Sequence, residues 1–257
     1  INMKDKKLLE KGKGCWMKID ANLIPIEWWK PKKKTFDLLL PLGIHEVARV
    51  FPKNLIVASG QSNAGKSAFC LATAIMNMDT YNINYFNSEM AEEEFSDRLD
   101  VCDLSSGQLA TFRDKVKIWE RGFKFEQVIE PNGFNIIDYL TTPADKAYLM
   151  KDAIEVISDK LDKGIALIAI HKKKNEDHGY GGVYTMNRPR VYISINHGIV
   201  KLVKVKAWQK GLHNPNGKIM NFKLVNGWDF RPQTVWHREG ELESAVEDKE
   251  NIKENRW

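Results

Sequence analysis

Cysteine is scarce in this sequence: three residues in 257, Cys15, Cys70 and Cys102, at wide and unpatterned spacing. That excludes a disulfide framework and a cysteine zinc site, and it points to reduced thiols in a cytoplasmic protein. Long apolar runs are missing as well. No stretch approaches the roughly 20 residues of a membrane span, and Ile1-Asn2-Met3-Lys4-Asp5 lacks the apolar segment of a secretion signal. A chain that opens on Ile is also expected to be a piece of a longer one. None of His45, His178, His197, His213 and His237 pairs at metal-ligand spacing, which argues against zinc. Secreted, membrane-embedded and fibrous classes are thereby excluded.

What is present is an ordinary globular balance, 43% hydrophobic and 28% charged. At roughly 100–200 residues per domain, the length allows one large domain with appendages or two small ones. The net charge of +5 is unevenly spread. Residues 1–53 carry twelve Lys or Arg against six Asp or Glu, a net of +6, and residues 239–257 carry a net of −4. A basic entry suits a polyanionic partner, with solvated lysines as the alternative. The acidic end is poor in apolar residues and reads as a disordered tail.

Near the start, Leu8-Leu9 leads through Lys11-Gly12-Lys13-Gly14 into alternating Cys15, Met17 and Ile19, the pattern of a hairpin. It resembles the wing of a winged-helix domain. Trp28 to Lys34 reads as a linker, so residues 1–34 form a basic appendage. From Phe36 onward, short apolar runs alternate with helical patterns. Strands are expected at Leu55–Ala58, Ile83–Phe86, Phe134–Ile137 and Ile165–Ile170. Helices are expected at Ser67–Met78, Ala91–Leu99 and Tyr148–Leu161. That alternation predicts an α/β fold with a mostly parallel sheet flanked by helices over 35–238. Val191–Ile195, Ile199–Val205 and Phe222–Val225 read as antiparallel edge strands at its C-terminal side.

Gly60-Gln61-Ser62-Asn63-Ala64-Gly65-Lys66-Ser67 is a complete G-x-x-x-x-G-K-S phosphate loop between a strand and a helix. Its glycines let backbone N–H groups turn inward on phosphates, and the helix N-terminus adds its dipole. Lys66 would reach the β/γ-phosphates of ATP, and the Ser67 hydroxyl would ligate Mg²⁺. A second carboxylate is needed on the metal. Asp138, closing the third strand, fits that need, although a helix-capping aspartate would stand there too. Glu89, after the second strand, is placed either to take a proton from water or to serve as a first-turn helix acid.

With Tyr85-Phe86-Asn87-Ser88-Glu89-Met90, Arg98-Leu99 and Ile136-Ile137-Asp138-Tyr139-Leu140, the loop resembles the RecA/DnaB-type P-loop ATPases. The layout from about Leu40 to Phe230 is similar to DnaB-like helicase ATPase domains of phage, plasmid and other mobile-element replication proteins. The resemblance implies a RecA-like core that hydrolyses ATP with Mg²⁺, with Glu89 as the catalytic base. It implies a γ-phosphate sensor at His171, where that family commonly carries Gln. It further implies a homo-oligomer, a ring of six, with other replication proteins as partners.

In similar proteins a polar loop after this strand touches single-stranded DNA. Here that loop holds Lys172, Lys173, Lys174 and Tyr180 and is expected to be mobile; a solvated surface loop is the alternative. Residues 139–148 are a second such candidate. The resemblance further implies that Lys204 and Lys206 are the late-strand cation pair that reaches a neighbour's γ-phosphate; read from the residues alone they are gatekeepers on an exposed edge strand. Two other readings use the same core. One is a recombinase or KaiC-like regulator without unwinding; the other is a DNA-binding or loader module switched by ATP. A small-molecule kinase is disfavoured because no acceptor pocket or lid is visible.

Overall fold

A computed structural model describes residues 9–11, 16–18, 27, 29–30, 35–142 and 148–241, and the chain divides into two units, 1–34 and 35–257. In the first unit β1 (Leu9–Lys11) pairs antiparallel with β2 (Trp16–Lys18), Leu9 facing Lys18 and Lys11 facing Trp16. The expected turn at 12–14, Cys15, Ile19 and most of the linker lie outside the described residues. So does the acidic end from 242.

The second unit is built on apolar runs too continuous for anything but a sheet covered on both faces. After the short α1 (Ile44–Val47), β3 (Leu55–Gly60) is buried at every residue and feeds α2 (Lys66–Asn77). β4 (Ile83–Asn87) leads to α3 (Glu92–Asp100), α4 (Ser106–Lys115) and β5 (Val116–Glu120). β6 (Phe134–Leu140), α5 (Leu149–Lys160) and β7 (Ile165–His171) follow. The C-terminal strands are β8 (Val191–Asn196), β9 (Ile199–Val205), β10 (Ile219–Val225) and β11 (Asp229–Pro232).

All nine strands from β3 onward join in the order β11-β10-β9-β8-β3-β7-β6-β4-β5. From β8 to β5 the pairing is parallel; β9, β10 and β11 pair antiparallel. Alternate residues serve opposite faces, as the strand pleat requires. Ile56, Tyr85 and Ile136 pack with Phe69 and Ile75 of α2 and Phe95 of α3, whereas Leu55, Val57 and Ile168 pack with Ile154 and Ile157 of α5. Each fully buried Ile or Leu contributes about 1.5–3 kcal/mol of apolar transfer free energy.

Three details depart from the sequence reading. β8 is not an edge strand: it pairs parallel with β3 and antiparallel with β9, and its first five residues are buried. Its run Val-Tyr-Ile-Ser-Ile is the pattern of a strand covered on both faces, and the tight turn to β9 makes only that next pairing antiparallel. The α4–β5 unit was not anticipated, though Ser105 and Gln108 form a capping box that a sequence can show. β11 was missed as well, being four residues long.

Candidate nucleotide-binding cleft

The C-terminal ends of β3, β7, β6 and β4 converge on one side of the sheet, and the phosphate loop lies there between β3 and α2. Gly60 admits no side chain: an added Cβ would stand 2.7 Å from Lys66 Cγ. Gly65 caps α2 at φ +99, a conformation a side chain would strain. Lys66 is buried, and its Nζ donates to the Gln61 carbonyl at 2.9 Å. Burial lowers its pKa, while Glu89 and Asp138 pull it back up. A cleft of about 290 Å³ opens here, lined by Asn63, Lys66, Ser67, Glu89, Arg98 and His171 among others. Three separate sequence motifs therefore reach one cavity.

Asp138 stands behind Ser67. β7 lies between β3 and β6, so this carboxylate comes from the next strand but one. It is 2% exposed. The Ser67 hydroxyl donates to Oδ1 at 2.9 Å, and the Tyr85 phenol donates to Oδ2 at 2.6 Å. Burial pushes the Asp138 carboxyl upward, and these two bonds and Arg98 hold it down. A hydroxyl and a carboxylate side by side are the hard oxygen donors that Mg²⁺ prefers, so Ser67 and Asp138 fit that cation. When bound, it would screen phosphate charge.

Glu89 is exposed at the cleft, on a turn fixed by its neighbours. Asn87 Oδ1 accepts from the Glu89 and Met90 amides, at 3.2 and 3.0 Å. Ser88 bonds both the amide and the carbonyl of Tyr139, and its own amide donates to the Asp138 carbonyl. The end of β4 is thus tied to the end of β6. His171 packs edge-on against the Tyr139 ring, with centroids 4.6 Å apart. Burial lowers the pKa of the imidazole and Lys66 lowers it further, while Glu89 and a bond to the Gly60 backbone act against them.

Sequence reasoning used Tyr85, Asn87 and Arg98 only as part of a resemblance and gave none of them a role. A tyrosine in a run as buried as β4 was the available signal, since a buried phenol needs a partner. Arg98 projects from α3 into the cleft, bonded to Glu94 at 3.2 Å.

The loop after β7 departs from expectation: it is stitched to the sheet. Lys172 is 4% exposed, and its ammonium bonds Ser194 Oγ at 2.8 Å and the Glu176 carbonyl at 2.7 Å. As a DNA contact Lys172 is therefore corrected, because its charge faces inward. The Asp177 carbonyl accepts from Ser59, and its carboxylate pairs with Lys201 at 2.7 Å. Gly179 donates its amide to the Tyr192 phenol. Polar side chains on the sheet satisfy this loop, which is what composition could not convey. Lys173, Lys174 and Tyr180 remain exposed. Of the second loop candidate, residues 143–147 lie outside the described residues.

Lys204 and Lys206 lie away from their own cleft. Val205 pairs with Val191, which pairs with Ile56 at the start of β3, whereas the cleft lies beyond Gly60. Four residue steps separate those levels, roughly 13 Å along a strand. β10 pairs with β9 over Ile199–Lys201, whereas Lys204 pairs with Tyr192 of β8 and Lys206 lies just past the end of β9. Lys204 Nζ bonds the Met186 carbonyl, and Lys206 is exposed.

The sequence matches no protein-family model and no curated protein. Among solved structures, the fold is similar to a KaiC-like protein from the hyperthermophilic archaeon Pyrococcus horikoshii OT3, with a TM-score of 0.59 at 10% identity. That match covers 78% of this chain and 99% of the other. Similarity to the RadB recombinase has a TM-score of 0.49 at 12% identity, covering 70% of this chain and 91% of that one. The architecture is accordingly that of the RecA-like P-loop proteins: a mostly parallel sheet between helices, extended by antiparallel strands at the C-terminal side.

Proposed function

We propose that the chain binds ATP with Mg²⁺ at residues 60–67 and hydrolyses it, as the motor core of a RecA/KaiC-like protein that assembles with its own copies and acts on single-stranded DNA. The observation that carries this reading is the convergence of Lys66, Ser67, Asp138, Glu89 and His171 from four strand ends on one cleft. Lys66 neutralises phosphate charge. Ser67 and Asp138 hold the cation side. Glu89 removes a proton from water as its oxygen attacks the terminal phosphorus; the bond to the bridging oxygen breaks, and ADP and phosphate leave. His171 donates an N–H to the terminal phosphate. Glu89→Gln is expected to cut turnover by about 10²–10⁴-fold while nucleotide still binds. Loss of binding, or unchanged turnover, would refute the assignment.

The DnaB-like version of this function adds unwinding by a ring of six. Ser88-Glu89-Met90 supports it through the family resemblance, and there Lys204 and Lys206 would serve a neighbour's cleft. ATPase activity should rise more steeply than protein concentration and respond to single-stranded DNA. Strand displacement on a forked duplex separates a helicase from a recombinase, a KaiC-like regulator or an ATP-switched loader.

A further inference from the structure

Tyr85 has no exposed surface and stands mid-strand in β4, where bulk alone would suffice. Its ring meets Phe95 edge-on at 5.5 Å, a contact phenylalanine would make equally well. The hydroxyl is therefore the distinguishing group. A polar atom in a core needs a partner, and this one donates to Asp138 Oδ2 at 2.6 Å. So short a bond between a phenol and a carboxylate is of the charge-assisted kind. The other oxygen, Oδ1, accepts from Ser67. A carboxylate's terminal torsion is broad and roughly two-fold, so one bond leaves it free to turn and two fix it.

We propose that Tyr85 is a positioning residue for the cation side of the cleft: its O–H fixes the rotation of Asp138 and keeps Oδ1 on the Ser67 hydroxyl. The inference rests on the reading of residues 60–67 as an ATP·Mg²⁺ site and assigns Tyr85 no contact with nucleotide. A purely structural phenol would affect stability and leave the dependence on metal untouched.

The test is Tyr85→Phe in the full chain. The Mg²⁺ concentration for half-maximal ATP hydrolysis should rise about ten-fold, the scale of one charge-assisted hydrogen bond. At saturating Mg²⁺, kcat should stay within about threefold by the same reasoning. Independently of activity, the rise in melting temperature on adding Mg²⁺ to the ADP-bound protein should fall by about half or more. The rise produced by ADP alone in EDTA should be unchanged. Mn²⁺, held more tightly by such ligands, should narrow the gap. Phe95→Leu supplies the control, loosening the same ring contact while sparing the hydroxyl; an equal shift in its Mg²⁺ dependence would overturn the proposal. So would a Tyr85→Phe variant whose Mg²⁺ dependence and Mg²⁺-linked stabilisation match the parent. A parent chain that neither hydrolyses ATP nor gains stability from Mg²⁺ and ADP overturns the nucleotide reading itself, and this inference with it.

Discussion

Two loops leave neighbouring strands at the same end of the sheet, 60–67 from β3 and 172–182 from β7, and both are polar and contain glycine and lysine. They end up as opposites. The first keeps a cleft open, with Asn63 at φ +58 and Gly65 at φ +99. The second is drawn onto the sheet by Ser59, Ser194, Tyr192 and Lys201. Loop composition does not decide which outcome follows; the deciding factor is whether the adjoining strands offer polar partners.

The contrast can be tested at each loop. Lys66→Ala should have the largest effect, a loss of at least about 10²-fold in ATP turnover, because it removes a charge aimed at the phosphates. Unaltered Michaelis parameters would mean the open loop is not a phosphate cradle. At the other loop, Gly179→Ala places a Cβ 2.2 Å from Ile170 Cδ1. Overpacking of this kind costs about 1–3 kcal/mol, and more where backbone is fixed, so the melting temperature should drop by several degrees. A neutral result would show that the loop is free to lift.

Smaller effects concern His171 and the surface. A histidine whose folded pKa is lowered binds fewer protons than in the unfolded chain, so stability falls as pH drops below about 6.5. His171→Gln should weaken the fall of urea-denaturation stability below about pH 6.5. Lys201→Ala removes a partly exposed partner of Asp177 and should cost under about 1 kcal/mol. Lys173→Ala and Lys174→Ala should leave stability within about 0.5 kcal/mol. If those lysines meet DNA phosphates, each should lower the salt slope of binding by about one.

The phosphate loop and the buried strands Leu55–Gly60 and Ile165–His171 were legible because each rests on local signals, a fixed spacing or an apolar run; Glu89 and Asp138 were marked as strand-end acids, and the role of Glu89 came only with the resemblance. Contacts that depend on which strand lies beside which were not legible. Val191–Asn196 shows its burial in its own residues but not its neighbour β3, and Lys172 shows its charge but not the Ser194 hydroxyl twenty-two positions away. Tyr85 stands fifty-three positions from Asp138, and only the pairing of β4 with β6 makes them adjacent. Periodicity reports which face a residue occupies; it does not report what waits there.

The stitched loop and the cleft share a floor. The Gly60 carbonyl accepts from the Lys172 amide, the His171 carbonyl from the Tyr180 amide, and Ser59 bonds the Asp177 carbonyl from beneath. The loop that bears Lys173 and Tyr180 therefore cannot lift from the ends of β3 and β7 without breaking these bonds, which sit directly under the phosphate loop.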